Sequence, residues 1–269
     1  MPGQQAVYIH GHHESVLRSH RWRTAENSAA YLLPYLRPGA RLLDVGSGPG
    51  TITADLAEFV APGRVTAVEV TAGALDLTRR ELASRGLSNV DCLLSDVHSL
   101  DFPDGTFDVV HAHQVLQHVA DPVAALREMR RVCRPDGTVG VRDSDYAGFI
   151  WYPEIPELDD WLALYRKVAR LSGGEPDAGR RLLSWARTAG FTDVTATSST
   201  WCFASAEDRA WWGSLWAARV LESEFATLAL STGSATGADL RRISEGWQAW
   251  AAADDGWLSI VHAEILCHR

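Results

Sequence analysis

The chain reads as an α/β protein in which a mostly parallel sheet carries helices on both faces. Three observations lead there. Short apolar runs alternate with stretches of helical periodicity through residues 41–145, and glycine or proline turns separate them. The first run, Leu42-Leu43-Asp44-Val45, empties into Gly46-Ser47-Gly48-Pro49-Gly50. Repeated strand–helix units joined by short turns pack as a parallel sheet between two helical layers.

The elements follow in order. Residues 14–36 read as helical and stop near Pro38-Gly39. Arg41–Val45 is the first strand, and Thr51–Val60 the helix behind the glycine turn. Arg64–Glu69 is a strand followed by a helix over about 72–85. Val90–Leu94 is a strand leading into Ser95-Asp96. Residues 107–111 form the next strand, ahead of a helix opened by Asp121-Pro122, a cap residue followed by proline at the first helical position. Residues 134–137 are a turn and 138–142 the strand after it. The rhythm then changes. Residues 158–171 and 178–189 read as helices and 194–203 alternates as a strand. A tryptophan-rich helical stretch covers about 206–230, and another helix runs to about 252. Residues 257–267 close the chain as a long alternating strand. No crossover helix follows it, so an antiparallel place in the sheet is the simplest expectation.

At 269 residues the chain is long enough for one large domain with a full core. Its 34 acidic against 25 basic residues give a formal charge of −9, which repels phosphate backbones and argues against a nucleic-acid partner. The one basic cluster, Arg18, His20, Arg21 and Arg23, is short and suits a carboxylate equally well. Cys92, Cys133, Cys202 and Cys267 are widely spaced with no CxxC pairing, so they read as core thiols of a reducing compartment. Neither a basic-then-apolar leader nor a run of membrane-spanning length is present, and the expectation is a cytoplasmic protein without a membrane partner.

The glycine turn is the most informative motif. Gly46, Gly48 and Gly50 permit a tight turn and close approach of the backbone to a ligand, and the helix from Thr51 aims its N-terminal amides at the same place. Dinucleotide-binding turns space their glycines GxGxxG to seat a pyrophosphate. Here the spacing is GxGxG, and Asp44 precedes it. A carboxylate at that point repels a pyrophosphate but suits a ligand carrying an ammonium and a sulfonium.

With these residues in place the chain resembles the small-molecule S-adenosylmethionine (SAM)-dependent methyltransferases with a Rossmann-like, mostly parallel seven-stranded sheet, in particular the ubiquinone/menaquinone-biosynthesis-like group. The resemblance covers about residues 8–145, and 186–194 and the terminal strand less specifically. It implies SAM as cofactor, with Asp44, Gly46, Ser47 and Gly48 around its methionine part. Glu69, with Val70 after it, ends the second strand where the family's acidic residue accepts from both ribose hydroxyls, a two-oxygen acceptor meeting a vicinal diol. Ser95-Asp96-Val97 follows the third strand, where the family sets an aspartate on the adenine amino group; a turn-capping aspartate is the alternative. His113 and Gln114 border cofactor and acceptor. Arg23 would pair with the cofactor carboxylate, or else lie on a solvated basic face.

The resemblance implies a single domain over 1–269: a helical cap (1–40), a cofactor-binding core (41–145), substrate-side helices with a tryptophan-rich lid (146–256) and a terminal strand (257–269). The expected reaction is transfer of a methyl group to a small, aromatic or hydrophobic acceptor on oxygen, carbon or nitrogen. An oxygen or carbon acceptor needs a base, and His118, Asp143 and Tyr146 are the candidates, with a structural histidine as the alternative at 118. The clusters His10, His12, His13 and His111, His113, His118 lack zinc spacing, so no metal is expected. Ten of the 11 tryptophans follow position 150, implying an aromatic-lined acceptor cavity, a packed helical lid or a dimer face. Two rivals remain: a SAM-fold protein that binds a small molecule without methylating it, and an NAD(P)-dependent oxidoreductase, which predicts the glycine spacing this chain lacks.

Overall fold

The computed structural model describes residues 14–269, so His10, His12 and His13 lie outside the described residues. The chain runs through α1 (Glu14–Arg21), α2 (Ala25–Ser28), β1 (Arg41–Val45), α3 (Thr51–Val60), β2 (Arg64–Glu69), α4 (Ala72–Ser84), β3 (Val90–Leu94), β4 (Phe107–His113) and α5 (Pro122–Val132). It continues with β5 (Cys133–Ser144), β6 (Ile150–Tyr152), α6 (Pro156–Leu171), α7 (Leu182–Thr188), β7 (Asp193–Phe203), α8 (Ala206–Glu222), α9 (Glu224–Ser231), α10 (Gly237–Ala252) and β8 (Trp257–His268).

Strands β3, β2, β1, β4 and β5 lie side by side and parallel, and β8 pairs antiparallel to β5. The terminal strand is thus antiparallel, as its position in the chain implied. On its far side β8 pairs with β7 along its length, while β6 pairs with the first residues of β8, beyond the end of β5. Eight strands therefore fill seven positions, with β5 and β6 sharing one.

Two layers cover the sheet. Leu43, Val45, Val110, Ala112, Val139 and Val141 point to the face packed by Leu126, Met129 and Val132 of α5 and Leu182 of α7. Leu42, Val65 and Val109 point the other way, against Ala25 of α2 and Leu56 and Val60 of α3. A third cluster joins α6, α8, α9 and α10 to the strand ends around Trp161, Trp216 and Trp247.

Several boundaries differ from expectation. The helix expected over 14–36 breaks after Arg21, because Thr24 and Asn27 cap a new start reciprocally: Asn27 N–H donates to Thr24 Oγ1 (3.2 Å) and Thr24 N–H to Asn27 Oδ1 (2.9 Å). Pro34 then opens a 3-10 turn. The 206–230 helix is two helices, since Ser223 takes an extended backbone (ψ 174°). The 178–189 helix begins as a 3-10 turn at Gly179–Arg181, and β6, three residues long, gave no periodic signal. Of the four cysteines only Cys133 and Cys267 are buried, while Cys202 is exposed at the open edge of β7, which corrects their reading as four core thiols. Among the described residues no helix is long and apolar enough to cross a membrane.

Candidate active site

The carboxyl ends of β1, β2, β3 and β4 meet in one cleft of about 650 Å³, a volume suited to a cofactor-sized ligand. The glycine turn forms its floor. Gly46 has φ +72°, and a Cβ there would lie 2.5 Å from Val115 Cγ2. Gly50 has φ +90°, and a Cβ there would lie 2.8 Å from the Thr78 backbone. Thr78 binds the turn as well: its hydroxyl donates to Gly48 O (2.8 Å) and meets Ser47 Oγ at 2.9 Å. Helix α4 therefore holds the turn open. Gly50→Ala is expected to cost about 1–3 kcal/mol from the left-handed backbone alone, with the Thr78 clash added. Urea unfolding measures this, and an unchanged midpoint would contradict the pinned turn.

Asp44 is buried beside this turn. Its Oδ2 accepts from Thr53 Oγ1 (2.5 Å) and its Oδ1 from His111 Nδ1 (2.7 Å), so His111 Nδ1 carries the proton. Asp44 and His111 are register neighbours on β1 and β4, so strand order brings them together. Glu69 ends β2. Its Oε1 accepts from Gly48 N (2.8 Å) and its Oε2 from Val70 N (3.2 Å), leaving further lone pairs on both oxygens. Burial raises the Glu69 pKa and the nearby Asp44 charge adds to it, while the two amide bonds pull it down. Asp96 follows β3 and accepts from His98 N (2.9 Å) and Nδ1 (2.8 Å); these bonds and the His98 charge outweigh burial and hold its carboxyl below the ordinary value. Over the cleft, α1 contributes Leu17 and His20, and the turn after it contributes Arg23. Two bonds clamp this segment down: Trp201 Nε1 donates to Asn27 O (2.7 Å) and Arg219 to Ser19 Oγ (2.8 Å).

A methyltransferase-domain family matches residues 43–141, the span from β1 into β5. An uncharacterized methyltransferase of Schizosaccharomyces pombe is 37% identical, over 98% of this chain and 97% of its own length. The chain belongs to the class I methyltransferases. A ubiquinone/menaquinone biosynthesis C-methyltransferase of Hahella chejuensis is 36% identical over 38% of the chain and 42% of its own length. The YcgJ protein of Bacillus subtilis shares the fold, with a TM-score of 0.61 at 17% identity over 91% of this chain and 99% of its own.

In this methyltransferase the cleft gathers Arg23, Asp44, Gly46, Ser47, Gly48, Glu69 and Val70 from the first half of the expected set. Ser95, Asp96, Val97, His113, Gln114 and His118 line it too. Asp143 and Tyr146 do not. Asp143 is fully buried, and its oxygens accept from Leu116 N (3.3 Å) and Gln117 N (3.2 Å). It holds the Leu116–His118 turn in place instead of meeting a ligand. The Tyr146 ring is stacked between Tyr165 (3.9 Å) and Phe149 (4.5 Å) in the tryptophan-rich core.

The geometry also opposes His118 as a general base. Ser144 Oγ donates to Gln117 Oε1 (2.8 Å), which turns the Gln117 amide NH₂ onto His118 Nε2 at 3.0 Å. That ring lone pair is occupied, and burial, aided by Arg23, lowers the His118 pKa to about 3. Spacing along the chain did not disclose Thr53, Thr78 and His111, because each meets its partner only through sheet order or helix packing.

Proposed function

We propose that the cleft binds SAM and that the methyltransferase moves its methyl group to a small organic acceptor. The observation that supports this reading is the row of carboxylates at the ends of β1, β2 and β3, all lining one cleft around a glycine turn. SAM offers matched groups: an ammonium and sulfonium for Asp44, a ribose diol for Glu69 and an amino N–H for Asp96, with its carboxylate for Arg23. Bound there, SAM supplies an electrophilic methyl on sulfur. The protein's part is to orient both partners and exclude water, which suffices for much of the acceleration of an in-line displacement. A pyrophosphate cofactor fits poorly, since Asp44 and Glu69 would face its charge.

On this reading residues 41–145 form the cofactor core, the segment from residue 14 to 40 caps it, and the later helices build the acceptor side. Glu69→Ala is expected to weaken SAM binding by roughly 1.5–3 kcal/mol, the range for hydrogen bonds to a charged group. Calorimetric titration with SAM measures it, and equal affinity in wild type and variant would remove Glu69 from the ribose. Methyl-labelled SAM incubated with cell extract then tests transfer: label in an organic-extractable product is the expected result, and binding without transfer would favour a non-methylating SAM-fold protein.

A further inference from the structure

Three of the buried carboxylates meet a guanidinium: Asp145 pairs with Arg180 (2.6 Å), Asp177 with Arg166 (2.7 Å) and Glu264 with Arg142 (3.2 Å). Asp44, buried as well and part of the cleft lining, has no arginine or lysine partner among the described residues. Its donors are Thr53 Oγ1 at 2.5 Å and His111 Nδ1 at 2.7 Å. A carboxylate held out of water without a cation costs free energy, and such groups concentrate at functional sites, where a ligand brings the missing charge.

The placement of the two donors is specific. His111 stands beside Asp44 in the β1–β4 register, so both side chains share one face of the sheet. That face is otherwise apolar: Leu42 and Val109, two residues back on the same strands, pack with Ile52 and Leu56 of α3. His111 is completely inaccessible, and so is Thr53 in the first turn of α3. A leucine would continue the packing at position 111; the imidazole adds one donor aimed at Asp44. The two donors come from different elements and reach different oxygens, so the carboxylate cannot rotate. Each oxygen accepts one bond and keeps a further lone-pair site. A hydroxyl, and an imidazole with a single ring proton, bind a carboxylate without cancelling its charge, as a guanidinium would.

We propose that His111 is a positioning residue for the cofactor: it fixes the Asp44 carboxylate, charge intact, as the counter-charge to the sulfonium of SAM. This rests on the cleft being the SAM site with Asp44 at its methionine end. His111 acts through Asp44 and touches no reacting atom. S-adenosylhomocysteine carries the same ammonium, carboxylate, ribose and adenine but a neutral thioether in place of the sulfonium. Loss of the His111 donor therefore falls more heavily on SAM than on S-adenosylhomocysteine.

The probes are SAM and S-adenosylhomocysteine, titrated calorimetrically into wild type, His111→Leu and His111→Asn. Leucine keeps the packing and removes the donor, whereas asparagine sets an amide N–H close to the place of Nδ1. His111→Leu should weaken SAM binding about tenfold or more and S-adenosylhomocysteine by a smaller factor, lowering the ratio of the two affinities. His111→Asn should restore both the SAM affinity and the ratio to within about threefold of wild type. A histidine serving the fold alone would lower both affinities by the same factor. That result, unchanged SAM binding in His111→Leu, or no rescue in His111→Asn would each overturn the proposal. Nitrogen NMR of the imidazoles in the wild type does not depend on His111→Leu folding. The His111 ring, identified by its absence from the His111→Asn spectrum, should carry one proton, at Nδ1. A ring protonated on both nitrogens would cancel the Asp44 charge and overturn the proposal as well. Failure of the wild type to bind SAM at all would instead remove the cofactor reading beneath it.

Discussion

Trp161→Ala is expected to lower the unfolding free energy by about 3–5 kcal/mol, the cost of deleting a fully buried large aromatic from a packed core. Trp161 on α6 is completely inaccessible and meets Trp216 of α8 edge-on at 4.6 Å and Trp247 of α10 edge-on at 4.9 Å. One side chain therefore joins three helices, and its removal leaves facing surfaces that the rigid ring neighbours cannot close. Trp161→Phe should cost less than half as much. It keeps a ring at the junction and deletes an indole N–H that has no acceptor among the described residues. Urea unfolding of both variants distinguishes the readings of the tryptophan-rich region. If this region were a loose lid around a cavity, Trp161→Ala would cost under about 1 kcal/mol, as substitutions at uncrowded positions do. A loss in the higher range identifies it as a second core that supports the acceptor side from behind.

That distinction was not legible in the sequence. Tryptophan counts and helical periodicity were the same for a cavity wall, a lid and a core; only the mutual packing of α6, α8 and α10 separates them. By contrast, the edges of β1, α3, β2 and β3 were legible to the residue, because each combines an apolar run with a glycine, proline or charged stop. The cleft-lining carboxylates were legible for the same reason: Asp44, Glu69 and Asp96 stand at strand ends, and parallel strands bring their ends together. The roles after β4 and β5 were not. His118 and His113 lie five residues apart; the sequence offered His118 as a candidate base with a structural histidine as the alternative, and set His113 at the border of cofactor and acceptor. Gln117, the preceding residue, occupies the His118 ring because Ser144 of β5 turns its amide that way, while both His113 nitrogens have no partner among the described residues. Asp143 likewise lies outside the cleft lining, accepting backbone amides from a turn 26 residues earlier that the sequence did not place beside it.

Acid sensitivity follows from the same histidines, and its sign is set by where each proton resides. His113, His118 and His262 all have pKa values pushed down by burial, with Arg23 adding to each and Arg142 to His113 and His262; for His118 the value is about 3. In the unfolded chain they titrate near the ordinary 6.5. Below that pH the unfolded state takes up three protons that the folded state refuses, so stability falls as pH falls. Asp143 acts in the opposite sense. Burial raises it to about 7, against the Gln117 and Leu116 amides and the arginines, so the folded state holds a proton between there and the ordinary 3.8. Glu69, also raised by burial, acts with Asp143, so three histidines stand against two carboxylates and the net proton uptake on unfolding is less than three. The urea midpoint should be nearly level from pH 8 to 7 and fall steeply from 6 to 5. His262→Phe should shallow that slope by about one proton's worth, roughly 1.4 kcal/mol per unit. A midpoint that stays level down to pH 5 would mean that these buried histidines accept protons in the folded protein.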